Sequence, residues 1–181
     1  MKPVQRCKFL RLDGKKIMSE NGICKWKVGE WKKEENIDIC HQGFHCSKKA
    51  YSAFTYVQGE VFAIVECRGK HISQEDKECW SEQRIIKAYK WTKKDFLKLA
   101  IFSAELVLKN FEKEYPNDLR PREAIEAAKK VLFRDTEKNR SAAESAAESA
   151  ESAARSAAES AAIKKIQKYF DKITKELKEI K

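Results

Sequence analysis

Glycine is confined to the first part of this chain: all six glycines lie between Gly14 and Gly69. Glycine allows the tight turns that strands need, so turns are concentrated in the first half. The second half has no glycine, holds most of the alanines, and contains Pro116 and Pro121 as its only prolines. The sequence therefore predicts an α+β protein, with a small mixed-sheet domain over 1–92 and an all-helical domain over 93–181.

Short apolar segments separated by turn residues divide the first domain into elements. We predict strands over 6–12, 37–40, 61–65 and 83–89. Ser47 is a suitable N-cap for a helix that ends at Gly59. The segment 61–65 is the most apolar of this half, so we expect it to form the central strand.

The second domain is predicted to contain helices over about 93–115, 121–134 and 136–180. A Ser-Ala-Ala-Glu repeat begins at Ser141, and its alanine content favours a long helix. Apolar residues then recur every three or four positions and form a helix-pairing seam: Ile163, Ile166, Phe170, Ile173, Leu177 and Ile180. Such spacing is typical of a coiled coil, so this helix either forms a homodimer or docks along the preceding helices.

The formal charge is +10, from 38 Lys and Arg against 28 Asp and Glu. Residues 1–92 carry 18 of these cations and 12 of these anions, so the excess is shared between the two halves. This charge favours an acidic partner such as RNA or a ribonucleoprotein. The alternative is a lysine-rich surface that is only solvated.

No apolar run approaches the roughly 20 residues that span a bilayer. The first residues lead into no apolar signal-peptide core, so we expect no membrane association and a cytoplasmic location. The six cysteines all lie in the first half, and we expect them to be reduced.

One segment interleaves lysines with tryptophans, which is a pattern suited to unpaired bases and phosphates. Its candidate nucleic-acid or partner-binding residues are Lys25, Trp26, Lys27, Trp31, Lys32 and Lys33. The alternative is that both tryptophans anchor a loop to the core while the lysines remain solvated.

Cys40, His41, His45 and Cys46 are the densest group of residues that bind metals. A structural zinc site usually has two Cys-x-x-Cys arms, and no such pair occurs in the chain. We therefore expect neither a metal nor another cofactor, and we expect these residues to pack in the core.

Two resemblances add to this interpretation. Residues from Cys40 to Cys46, the apolar strand at 61–65, and the pair Asp76-Lys77 resemble a phage and bacterial domain family with a Cys-x-x-Gly-Phe-His core, over about 6–92. The segment 119–128 and the alanine-rich helix after it are similar to helical immunity proteins. The resemblance implies a mobile-element setting, in which a small basic protein inhibits a CRISPR-like host defence complex without being an enzyme.

Two alternative functions follow from other features. The order of Arg11, His45 and Glu82 is similar to ADP-ribosyltransferases, which implies an enzyme that uses NAD. The helical half instead favours an immunity or assembly factor that binds a protein partner.

Overall fold

The computed structural model describes residues 2–154 and 160–180, and the side chains of 2–145 and 164–180. The strands are β1 (Val4–Asp13), β2 (Lys16–Met18), β3 (Lys25–Trp26), β4 (Lys32–Lys33), β5 (Phe44–Cys46), β6 (Val61–Gln74) and β7 (Lys77–Lys90). The helices are α1 (Ala50–Tyr56), α2 (Lys93–Glu114), α3 (Arg120–Phe133), α4 (Glu137–Ala154) and α5 (Ser160–Lys175). The α+β class predicted from the sequence is confirmed.

The strands form one curled sheet in the order β3-β2-β1-β6-β7-β4, with β5 also paired to β7. The named strands pair antiparallel rather than in the mixed arrangement we predicted. After β3, which is at one end of the strand order, the chain passes to β7 and β4 at the other end. There Gly29 donates its N–H to the carbonyl of Ile85 on β7 at 2.7 Å. The segment 25–33 therefore connects the two ends of the sheet.

The hairpin of β6 and β7 is much longer than the strands we predicted at 61–65 and 83–89. Its outer part is polar, as Ser73 opposite Glu78 and Gln74 opposite Lys77 show. Cross-strand hydrogen bonds pair the backbone there whatever the side chains are, so hydrophobicity alone did not reveal this part of the hairpin.

Two local predictions are wrong. Residues 37–40 form a turn instead of a strand, with a bridge between Asp38 and Gln42 and a positive φ of 78° at Cys40. Ser47 is not the N-cap of α1, which begins after Lys49. Ser47 is buried and exchanges backbone hydrogen bonds with Cys7 at 2.8 and 2.9 Å, so sheet pairing holds it outside the helix.

The molecule contains two compact units, Met1–Thr92 with Asp171–Lys181, and Lys93–Phe170. We call them unit 1 and unit 2. The inner face of the curled sheet in unit 1 carries a core that includes Leu10, Trp26, Val65 and Ile85. A second cluster of aromatic rings joins Phe9, Phe54, Phe62 and Trp91, with Phe9 between 5.3 and 5.5 Å from the other three ring centroids.

In unit 2, α3 packs against α2 and α4. The stacked rings of Phe102 and Tyr169 lie 3.9 Å apart between their centroids and join α2 to α5. Of the helix predicted over 136–180, residues 137–154 and 160–175 are helical, and 155–159 lie outside the described residues.

The helix-pairing seam does not continue as one helical stripe. The helix ends at Lys175, and residues 178–180 lie against β7, where Ile180 donates its N–H to the carbonyl of Ala88 at 2.7 Å. Phe170 and Ile173 are buried within the single chain, Ile166 and Leu177 are half-buried, and the side chain of Ile163 lies outside the described residues. The homodimer stays a prediction.

In the part of the chain that the structure describes, none of the helices combines the length and the apolar character needed to cross a membrane.

Candidate functional site

The two tryptophans of the lysine-rich segment have different environments. Trp26 is 3% exposed and belongs to the inner core, where its ring meets Phe44 edge to face. Its indole is therefore not an exposed platform for a base, contrary to its place among the predicted binding residues. Trp31 is only half-buried, and it lies outside the core cluster.

Trp31 rests on two arginines of the long hairpin. The guanidinium carbon of Arg68 lies 4.0 Å from the indole centroid, and that of Arg84 lies 4.8 Å from it. Strand register fixes both arginines, because Glu66 is directly opposite Arg84 and Glu82 is directly opposite Arg68. The cross-strand ion pairs that result measure 2.6 Å for Arg84 and 2.7 Å for Arg68. These pairs fix the positions of the two guanidinium groups, which lie within cation–π distance of the ring.

The segment that carries Trp31 also carries exposed lysines. Side-chain alternation places Lys25 and Lys27 on the side of the chain opposite to the buried Trp26. Lys33 is exposed on β4, and none of these three lysines forms an ion pair with a described residue. Lys32 differs, since its ammonium is bound to Glu30 at 2.6 Å. The Trp31 surface, as we call it, comprises Trp31, Arg68, Arg84, Lys25, Lys27 and Lys33.

Neither Arg68 nor Arg84 was among the binding residues predicted from the sequence. Arg68 lies on β6 beyond the predicted strand 61–65, Arg84 lies within the predicted strand 83–89, and each has a glutamate in the opposite strand. The available signal was that a glutamate and an arginine lie two positions apart on each strand. The strand register that places each arginine opposite a glutamate was not evident from either strand alone.

A cavity of about 650 Å³ lies within unit 1. We call it the Lys8 cavity after the lysine in its wall. The whole segment from Cys40 to Cys46 that carried the family resemblance lines it together with Lys77, whereas the strand 61–65 does not. Residues that are 30 or more positions apart in the sequence are thus brought to one place.

His45 is held as a neutral ring in this wall. Burial lowers the pKa of His45, and the positive charges of Lys8 and Lys77 lower it further. Its Nε2 accepts the backbone N–H of Cys40 at 2.9 Å, which requires an unprotonated nitrogen at that position. His45 therefore orients the turn at Cys40 instead of offering a free base.

No group of three or more His, Cys, Asp or Glu side chains among the described residues is arranged to hold a metal ion. The six cysteines are all free thiols. Cys46 and Cys67 lie closest to each other, with 3.7 Å between their sulfur atoms in the core.

The residues of the ADP-ribosyltransferase alternative are not brought together. Leu10 pairs with Val61 and Glu82 pairs with Arg68, so Arg11 and Glu82 are separated by roughly 26 Å along the direction of β6 at ~3.3 Å per residue. Arg11 is bound to Glu20, and Glu82 is bound to Arg68. Each charge is thus compensated locally.

Comparison with known proteins gives one match. No curated protein and no solved structure matches the chain significantly. Residues 12–97, a little under half of the chain, are similar to the family described as a domain of unknown function (DUF7666). That segment contains the whole Trp31 surface and most of the Lys8 cavity, but not Lys8 itself.

Proposed function

We propose that this chain is a non-enzymatic protein that binds single-stranded RNA, free or within a ribonucleoprotein, through the Trp31 surface. The observation that carries the proposal is the position of Trp31, half-buried against two guanidinium groups, on a segment whose exposed Lys25, Lys27 and Lys33 form no ion pair with a described residue. A base stacks on such a supported indole, while ammonium groups neutralise the adjacent phosphates.

The wider role that we propose is inhibition of a nucleic-acid-containing host defence complex by a protein of a phage or other mobile element. It is supported by the net charge of +10 and by the sequence resemblance. The alternative of an immunity factor that binds protein through the helical seam has less support, because Phe170 and Ile173 are already buried within the chain.

The test is the salt dependence of binding to a labelled oligouridine, measured by fluorescence anisotropy. We expect the triple variant Lys25→Ala, Lys27→Ala and Lys33→Ala to bind more weakly. The slope of log K against log salt should become shallower by about 2, because each lost phosphate contact removes ~0.7 from it. Trp31→Ala should weaken binding about tenfold with little change in slope, because stacking is not electrostatic.

A matched control replaces three exposed lysines of unit 2, Lys109, Lys113 and Lys138, by alanine. This triple variant loses the same charge, so its affinity for oligouridine should stay close to that of the wild type. Equal losses in both triple variants would show that binding depends on total charge alone, and the proposal would then be rejected.

A further inference from the structure

The Lys8 cavity has the size and lining of a small-molecule site. Its volume of about 650 Å³ lies within the range of ligand pockets, roughly 300–1,000 Å³. Trp26, Phe44 and Val57 contribute apolar wall, and Ile23 and Tyr56, which also line the cavity, are 82% and 49% exposed.

Two lysines in this wall lack a carboxylate partner among the described residues. The ammonium of Lys8 donates to the carbonyl of His45 at 2.5 Å and lies 5.2 Å from the Trp26 centroid. Only one of its three N–H groups is used in this way. The ammonium of Lys77 donates to the sulfur of Cys40 at 2.7 Å and lies 4.9 Å from the ring of Tyr56.

The acidic groups of the wall do not neutralise these lysines. Glu20 is engaged by Arg11, and Glu34 accepts the backbone N–H of Glu35 at 3.0 Å. By contrast, Arg6, two residues before Lys8 on the same strand, forms an ion pair of 2.6 Å with the buried Glu78. Arg6 on this strand therefore has a carboxylate partner, whereas Lys8 has none among the described residues.

An ammonium that lacks an anion in an apolar wall is costly, because it has lost water without gaining a counter-charge. Burial accordingly lowers the pKa of Lys8. An anion that entered the cavity would supply the missing charge and would use the free N–H groups.

The geometry points to a binding site for a small organic anion in the Lys8 cavity, with a carboxylate or phosphate group on Lys8 and a flat apolar body against Phe44. Lys77 stands in the same wall and adds a second positive charge. This site is separate from the Trp31 surface, and its ligand is a small molecule.

The test is calorimetric titration of the full chain with benzoate, phenyl phosphate and the neutral analogue benzamide. We expect at least one anion to bind about tenfold or more tightly than benzamide, and the tighter of the two identifies the ligand group as carboxylate or phosphate. Lys8→Met should reduce the affinity for that anion about tenfold or more. The matched control is Lys87→Met, an exposed lysine of β7, which should leave the affinity unchanged.

Two results would overturn the site. One is that neither anion binds more tightly than benzamide; the other is that Lys8→Met binds as Lys87→Met does. Tryptophan fluorescence during thermal unfolding shows whether Lys8→Met folds. If it does not fold, Lys77→Met provides the same test at a half-buried position, where an unchanged affinity argues against the site.

The alanine triple variant of the Trp31 surface should bind the anion as the wild type does, which separates this site from RNA binding.

Discussion

Glu78 shows how one buried carboxylate can organise a sheet interior. It is 2% exposed, and it accepts hydrogen bonds from Arg6 at 2.6 Å and from the indole N–H of Trp80 at 2.9 Å. Burial raises the pKa of Glu78, but the hydrogen bonds from Arg6 and Trp80 and the charges of Arg6 and Lys48 outweigh this effect and hold the pKa below its usual value of 4.5.

We expect Glu78→Gln to lower the free energy of unfolding by about 3 kcal/mol at neutral pH, because Arg6 then stays partly buried without a counter-charge. A depressed native pKa means that the stabilisation by Glu78 is complete above the unfolded pKa and is lost as the pH falls through the native pKa. The difference between wild type and variant should therefore shrink between about pH 5 and pH 3. Urea denaturation across this range measures it, and a difference independent of pH would contradict the ion pair.

At the scale of elements, the connection between α1 and β6 is packed tightly against β1. A Cβ atom added at Gly59 would lie 2.1 Å from the carbonyl oxygen of Leu10 and 2.6 Å from its carbon. Both atoms belong to the backbone of β1, so they cannot move aside without shifting the strand. The absence of a side chain at Gly59 therefore allows the helix connection to approach the sheet.

We expect Gly59→Ala to destabilise unit 1 by about 2–3 kcal/mol, which is the cost of overpacking against backbone. Gly14→Ala is the control, since Gly14 has a φ of 60° but open space around it. It should cost about 1 kcal/mol, from the backbone conformation alone. Urea unfolding followed by tryptophan fluorescence compares the two. A Gly59→Ala variant no less stable than Gly14→Ala would show that the contact relaxes without cost.

At the scale of the whole molecule, the last residues belong to unit 1 although the segment before them belongs to unit 2. Ile173 is 2% exposed, and Ile180 packs against the inner core. The backbone carbonyl of Lys178 also accepts the N–H of Lys90 at 3.0 Å. The end of the chain thus contributes both apolar burial and backbone pairing to the sheet.

Removal of 171–181 should therefore destabilise unit 1 by about 2–4 kcal/mol, from the buried isoleucine and the lost hydrogen bonds. All four tryptophans lie at or before Trp91, so tryptophan fluorescence reports the unfolding of unit 1 alone. The midpoint of urea unfolding seen by fluorescence should fall in the truncated chain. An unchanged midpoint would show that the segment adds nothing to the stability of unit 1.

Local sequence predicted the elements whose signals are local. β1, α2 and α3 follow the predicted ranges within a few residues, because alternation, helical periodicity and a proline in the first turn act over neighbouring positions. The pairing of Ser47 with Cys7 was missed because its partner strand is distant in the sequence. The turn at Cys40 is closed locally by the bridge between Asp38 and Gln42, and the apolar alternation of 37–40 concealed it.

The candidate site shows the same division. The sequence alone predicted that Lys25, Lys27 and Lys33 are exposed, because lysine is seldom buried, and the structure agrees. It did not distinguish Trp26 from Trp31, which are five residues apart and both followed by lysine. Only the tertiary structure decided that Trp26 enters the core while Trp31 rests on Arg68 and Arg84. The physical reason is that the environment of an aromatic ring is set by strands that pair with its own segment from far along the chain.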